Sequence, residues 1–412
     1  MTEKGYAVSR LLADGESMAE TFGQMLARLR SEESLSLRTL GRRAAYSYAV
    51  ISQVENGRRP PTRQFAEAMD RALDAGGELV RLAAAGGAGQ PRDEDERLAY
   101  ALAHPNRVDR MTAIRLREHV QNADARYETM PSTSLLADTG RYLAQLSYLT
   151  KHARNTDVRM DLLVAEAEAA ILMGQLVWDA SQRRDHATTR THLAMAERAA
   201  QAAGDRKTES LALLRSSIVA LYGEDDPRNG IPVATRSAEA ANGYSNVLFG
   251  LAQLHVAEGH AILGEQRQCE AALAEADRSF TQVDPADVAA ELYSPSQLGR
   301  LAGSCYLRLG SPERAQVALE RAGQLLSEHS KSSAIVFGNL ALSSIRQQQP
   351  DEACAALHRA LDVVGTTWGG GGLNVVFAAI GELRPWRTLP AVQQVTDRVI
   401  DLMQQSSLGR SS

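Results

Sequence analysis

The side chains capable of binding or chemistry are unevenly spread along the 412 residues. Between residues 20 and 63 stand eight arginines (Arg28, Arg30, Arg38, Arg42, Arg43, Arg58, Arg59 and Arg63) against four acids, Glu20, Glu32, Glu33 and Glu55. That segment is net +4 in a chain of net −5, so a small basic region is attached to an acidic remainder. Guanidinium forks bind phosphate oxygens, and a cluster of them is the footprint of a polyanionic partner. Elsewhere the reactive types do not assemble. His255 and His260 flank Glu258, but five residues span roughly 140° around a helix, so the two rings do not face one metal. Asp185-His186 and His104 have no nucleophile at useful spacing, and no triad is expected. Gly369–Gly372 precedes an apolar run, Leu373 to Ile380, yet lacks the Lys-Ser/Thr of a phosphate loop. A hinge or close backbone crossing is the better reading, with Trp368 and Trp386 packed as a cap. Cys269, Cys305 and Cys354 form no CxxC pair, which rules out a zinc site of that kind and a disulfide scaffold. The expectation is a protein that is not an enzyme and needs no cofactor or metal.

Positioning the arginines requires helices. A chain of 412 residues exceeds one ordinary core and calls for two or three domains or a repeat array. Apolar residues reach 44% but aromatics only 5%, a balance that favours closely packed helices and an all-α fold. No apolar leader opens the chain and no run of about 18 apolar residues occurs, so a reduced, cytoplasmic, non-membrane protein is expected. Residues 1–18 read as a loose tail. Phe22, Leu26 and Leu29 then mark a first helix. Ser36 caps a second over Leu37 to Ala44, and Ser47 caps a third over Tyr48 to Glu55 with Ile51 and Val54 inward. Asn56-Gly57 end it, being residues that tolerate positive φ. Phe65, Met69 and Leu73 mark the fourth helix, and Gly76-Gly77 separate it from a fifth through Leu79 and Leu82. The predicted domains are a five-helix unit at 19–83, a Gly-rich charged linker at 84–97 and a helical body at 98–405.

The stretch FGQMLARLRSEESLSLRTLGRRAAYSYAVISQVENGRRPPT resembles the lambda-repressor-like, or xenobiotic-response-element, family of helix-turn-helix domains. The likeness lies in Leu40, Ile51-Ser52 and the ending Glu55-Asn56-Gly57-Arg58-Arg59-Pro60, and it spans residues 20–82. It implies a double-stranded DNA operator as partner, bound by a homodimer because one short helix reads too few base pairs. The third helix would enter the major groove, with Tyr48, Ala49, Ser52 and Gln53 on its outward, amino-terminal side toward the bases. Gln53 suits an adenine edge, and Tyr48 and Ala49 suit thymine methyls. Arg42, Arg58, Arg59 and Arg63 would hold phosphates. Related domains pair an arginine of the first helix with the glutamate before Asn-Gly, which here implies a structural ion pair of Arg30 and Glu55. Three residues depart from the family pattern: Leu37 where a polar residue is common, Gly41 where alanine is usual, and Ala45 where the turn usually has glycine.

In the body, SCYLRLGSPERAQVALERAGQLL sets Gly303, Tyr306, Ala315, Leu319 and Ala322 at the offsets of a tetratricopeptide repeat. Ala353, Leu357 and Ala360 repeat the pattern, as do Cys269, Leu273 and Ala276, with looser copies at 185–199 and 228–241. Cys269, Ala315 and Ala353 lie 46 and 38 residues apart, longer than the usual spacing. The segment 160–365 thus resembles a degenerate tetratricopeptide array, an α-solenoid, with further helix pairs at 100–158. Such an array implies a concave groove for a peptide or small-molecule effector. His255, Gln297, Arg300 and Asn339 fall on inner helices by the repeat offsets, with Trp178 and Arg215 as weaker candidates. Asn339 would hold a ligand backbone and Arg300 a carboxylate. The expected function is a sequence-specific DNA-binding regulator that dimerises and senses an effector through its body. The alternative is a tetratricopeptide adaptor that recruits a protein partner and uses the helix-turn-helix as an anchor.

Overall fold

Side-chain oxygens open the first helices. Thr21 and Gln24 form a reciprocal capping box at α1 (Phe22–Glu32), with Gln24 N donating to Thr21 Oγ1 at 3.3 Å and Thr21 N to Gln24 Oε1 at 2.9 Å. Ser36 accepts from Thr39 N at 3.1 Å to open α2 (Leu37–Ala44). Ser47 accepts from Val50 N at 3.3 Å at α3 (Tyr48–Glu55), and Thr62 from Phe65 N at 3.2 Å at α4 (Arg63–Leu73). Each such cap contributes about 1 kcal/mol by satisfying an otherwise orphaned donor. Helix α5 (Glu78–Gly86) starts differently: the buried Asp70 carboxylate of α4 accepts from Gly77 N at 2.8 Å and Leu79 N at 2.9 Å. The apolar stripes converge on one core that includes Leu26, Leu40, Ile51, Phe65, Met69 and Leu79.

Gly41 explains one departure from the family pattern. A Cβ there would lie 2.5 Å from the Tyr46 carbonyl oxygen, so the chain entering α3 approaches α2 more closely here than a side chain at residue 41 would allow without a shift. Asn56 closes α3 at φ −87°, outside the left-handed region.

The computed structural model describes residues 21–44, 46–56, 61–86, 94–327 and 329–408. Ala45, Gly57, Arg58, Arg59, Pro60 and the expected tail at 1–18 lie outside them. The described residues are all-α, with no strand. The chain divides into two compact units, residues 1–100 and 101–412. Of the segment 84–97 read as a linker, α5 reaches Gly86 and α6 (Glu94–Ala103) begins at Glu94, while 87–93 lie outside the described residues.

The second unit is a succession of packed helices. After α7 (Arg110–Asp124), α8 (Ser132–His152) packs on α9 (Thr156–Ala180), which also contacts α10 (His186–Ala203). Antiparallel pairs follow: α11 (Arg206–Ile218) with α12 (Pro227–Ala241), α13 (Asn246–Ile262) with α14 (Gln266–Thr281), α15 (Gln297–Arg308) with α16 (Pro312–Leu325), and α17 (Lys331–Arg346) with α18 (Pro350–Thr367). α19 (Gly370–Glu382) packs on α17, and α20 (Pro390–Leu408) on α18. The small and large residues of the repeat pattern are the buried ones: Cys269, Leu273, Ala276, Ala315, Leu319, Ala322, Ala353, Leu357 and Ala360. Gly303 lets α15 approach α16 so closely that a Cβ would meet Leu319 Cγ at 2.4 Å. Spacing alone gave no reason to pair two of the cysteines, yet the Cys269 and Cys305 thiols are hydrogen-bonded neighbours. Trp368 and Trp386 pack beside the core of the last helices.

Candidate nucleic-acid interface and ligand cavity

In the first unit, burial of Ile51 and Val54 turns the opposite side of α3 to solvent. Tyr48, at 54% exposure, and Ala49 and Gln53 are exposed, and Ser52 is half-buried with its carbonyl accepting from Asn56 Nδ2 at 2.7 Å. Arg42 is exposed on α2 and has no ion-pair partner among the described residues. Arg63 is the first residue of α4; Arg58 and Arg59 lie outside the described residues. Arg38 was not singled out by sequence, although Arg38 and Arg42 are four apart on one face of α2. Its guanidinium lies 5.6 Å from the centre of the Tyr48 ring, so it stands beside the amino-terminal end of α3. Arg43 is engaged instead with Glu33 at 3.6 Å.

Arg30 and Glu55 join as a fork, Nε to Oε1 at 2.6 Å and Nη2 to Oε2 at 3.0 Å, while Arg30 Nη1 donates to the Leu35 carbonyl at 2.9 Å. The Glu55 hydrogen bond raises the Arg30 pKa above its ordinary value. One side chain therefore fastens the end of α1, the loop before α2 and the last residue of α3.

In the second unit, inner helices α9, α11, α13, α15, α17 and α19 surround a cavity of about 680 Å³. His255, Arg300 and Asn339 line it, as do Trp178 and Arg215. Gln297 is placed elsewhere: its Nε2 donates to the Leu292 carbonyl at 3.0 Å and its Oε1 accepts from Ser294 N at 3.3 Å, which holds the turn entering α15. The cavity also gathers Arg183, Arg308, Lys331, Arg346, Asp179, Glu258 and Tyr222. Most sit on helix faces whose charge reads, in sequence, as solvated surface.

A hydrogen-bonded seam bounds one side of this cavity. Lys331 Nζ lies 2.9 Å from Asp179 Oδ2 and 2.7 Å from Ser132 Oγ, and 4.0 Å from the centre of the Tyr127 ring. Asp179 Oδ1 accepts from Gly370 N at 2.7 Å at the start of α19, and the Glu128 carbonyl accepts from Lys331 N at 2.9 Å. The glycine run makes this closure possible. A Cβ at Gly370 would lie 2.8 Å from the Asp179 carbonyl oxygen, and one at Gly371 would lie 2.1 Å from Arg183 Nη2. Residues nearly two hundred apart in sequence thus meet, with separations of 199 for Ser132–Lys331 and 191 for Asp179–Gly370.

Two backbone irregularities stand in the wall. Gln182 and Arg183 are consecutive non-glycine residues at φ 53° and 61°. Such conformations cost on the order of 1 kcal/mol or more each and collect at ligand sites. Residues Val219–Gly223 form a π-helical end to α11 that carries Tyr222. The Tyr222 hydroxyl bonds to Glu258 Oε1, and Glu258 Oε2 lies 2.6 Å from His255 Nδ1. Burial pushes Glu258 up to about 8. Burial, then Arg215 and Arg300, pushes His255 down to about 3. Both shifts favour the uncharged forms of the pair.

Among the described residues no cluster of three His, Cys, Asp or Glu is placed to hold a metal ion. None of their helices is long and apolar enough to cross a membrane.

Residues 21–83 match the model of a helix-turn-helix domain family. No curated protein matches the chain. Similar solved structures include the crystal structure of Bacillus thuringiensis PlcR in complex with the peptide PapR7 and DNA, at 12% identity and a TM-score of 0.31, covering 64% of this chain and 95% of that one. So loose a superposition implies nothing about the ligands of this chain. Residues 21–83 of the amino-terminal unit thus form a helix-turn-helix domain, followed in the chain by a body of stacked helix pairs.

Proposed function

We propose that this protein is a sequence-specific transcription regulator of the cytoplasm that binds a DNA operator as a homodimer and answers to an effector held in its tetratricopeptide-like body. The observation that carries the DNA-binding part is the exposed amino-terminal face of α3, with Tyr48, Ala49 and Gln53 outward and Arg38 and Arg42 beside it, in a domain that matches a helix-turn-helix family. Its exposed arginines position the domain on phosphates, and the α3 side chains read base edges. The size of the cavity supports a small effector over a protein partner, because its volume is of the size that takes small molecules. Dimerisation through the body would set the spacing of two heads, and a ligand that prefers one arrangement would shift operator affinity.

The test is retention of fragmented host DNA by the full chain at low salt, followed by mapping of the retained sites. Specific fragments with two half-sites are expected, and Gln53→Ala should lose about 1–3 kcal/mol of discrimination at one base pair per half-site. Absence of any retained fragment, or a Gln53→Ala protein with unaltered sequence preference, refutes this reading. Capture of a large protein by the body with no small ligand would favour the adaptor.

A further inference from the structure

The cavity lining carries an excess of cations. Six cationic side chains line it, Arg183, Arg215, Arg300, Arg308, Lys331 and Arg346, against four acidic residues, Glu128, Asp179, Glu382 and Glu258, of which burial favours the neutral form of Glu258. Two cations are matched, Lys331 by Asp179 at 2.9 Å and Arg346 by Glu382 at 2.8 Å. Glu258 is spent on Tyr222 and His255, and Glu128 Oε2 accepts from Ser332 N at 3.2 Å. Arg183, Arg215 and Arg300 have no carboxylate partner among the described residues. Each has a buried Nε with no hydrogen-bond acceptor, and so does Trp178 at Nε1, with only 8% of that residue exposed. All four orphans are donors on one cavity, whereas buried donors are ordinarily satisfied. Arg300 has one bond, from Nη1 to Ser332 Oγ at 3.0 Å. Arg183 lies over the Trp178 ring at 4.7 Å and is presented by the left-handed pair Gln182-Arg183. Its Nη2 sits against Gly371 in the first turn of α19, where the helix dipole adds further positive potential. Burial lowers the Arg300 pKa; Glu128 and Glu258 oppose that lowering, while Arg215 and Arg183 add to it, so the three guanidinium groups share one field.

We infer that the cavity takes a small molecule bearing at least two oxyanion groups, phosphate or carboxylate, held by Arg183, Arg215 and Arg300, with its apolar part against Trp178, Leu301 and Ile335. This rests on the reading of the body as an effector domain and names the effector's chemical class. Partly buried cations without counter-ions, their Nε atoms out of contact with solvent, destabilise the fold unless a ligand supplies the missing charge. An anion that bridges the three guanidinium groups would do so with charge-assisted, forked hydrogen bonds. The apolar wall beside them suits an organic body rather than a bare ion.

The test uses the full chain, with pyrophosphate, citrate and tetraglutamate as probes in thermal unfolding and calorimetry. Pyrophosphate marks a phosphate ligand, citrate a carboxylate one, and tetraglutamate an acidic peptide. Pyrophosphate or citrate should raise the melting temperature and titrate to one saturable site. The Arg215→Gln/Arg300→Gln variant should lose at least about ten-fold in affinity. Its unliganded melting temperature should equal or exceed that of the wild type, since like charges have been removed. Arg42→Gln, in the head, should leave the probe shift intact. The inference is overturned if no probe shifts the wild type, if only tetraglutamate does, if the double variant responds as the wild type does, or if that variant melts lower without probe. DNA retention is measured on the same preparations: its persistence without probe binding removes this inference alone, and its loss removes the DNA-binding reading.

Discussion

The two cation clusters of this protein use the same side chain in opposite media. In the head, Arg38 and Arg42 stand in water, where desolvation costs almost nothing and, on the function proposed above, the guanidinium groups would act together on a polyanion. In the body, Arg183, Arg215 and Arg300 line a cavity and are partly buried, so an unmatched charge costs more there than at the surface and a matched one is held more firmly. Arginine composition does not separate the two clusters; solvent access does. Binding at the head should be steeply salt-dependent, and binding in the cavity much less so, because buried pairs are poorly screened.

The contrast is broken most severely by removing Arg30, whose carboxylate partner is more buried than those of Arg28 and Arg43. Arg30→Ala leaves Glu55, whose side chain is 9% exposed, without its fork, and the domain should lose about 2–3 kcal/mol, with DNA binding lost in parallel. Denaturant unfolding of the full chain reads this as a separate early transition; an unchanged first transition would show the pair to be idle.

A pH series sharpens the buried side. Glu258 has a folded value of about 8 against 4.5 in the ordinary range, so its contribution is complete below the lower value and is lost as pH rises to the higher. His255 has a folded value of about 3 against 6.5, so its contribution is complete above 6.5 and is lost as pH falls toward 3. The two slopes cancel between them, which leaves a plateau with a fall on the alkaline side. From pH 6.5 to 8 the body should lose roughly 2 kcal/mol. Glu258→Gln, which keeps a donor toward His255 and an acceptor for Tyr222, should flatten that alkaline fall in a denaturant series. A wild type of constant stability across the window would show that Glu258 titrates normally.

The smallest effect belongs to one exposed arginine. Arg38→Ala should weaken operator binding about equally for all sequences and reduce the slope of log affinity against log salt by about 1. Fluorescence anisotropy over a salt series measures both, and a change in sequence preference would instead make Arg38 a base reader.

Much of the head is legible along the chain because its signals are local. Thr62, Ser36 and Ser47 stand immediately before the turns they cap, and Ile51 and Val54 fall at helical spacing. The outward placement of Tyr48, Ala49 and Gln53 follows from the same periodicity. Arg38 escaped because its significance lies in a neighbour ten residues away, Tyr48. In the body, the small-residue offsets mark the pairing positions, and they place His255, Arg300 and Asn339 on inner helices. They fail for Gln297, whose position at the first turn of α15 lets its amide satisfy loop backbone instead.

The amino-acid sequence by itself determined the helical segments, the capped turn before α3 and the repeat of small residues that lets helices pair, because each depends on contacts within a few residues. Only the tertiary structure decided that Arg183, Glu258, Arg300 and Lys331 share one cavity and that Asp179 reaches both Lys331 and Gly370. A charged residue on a helix carries no local mark of whether its face meets water or a stacked neighbour. Burial and charge matching arise when segments far apart in the chain come together.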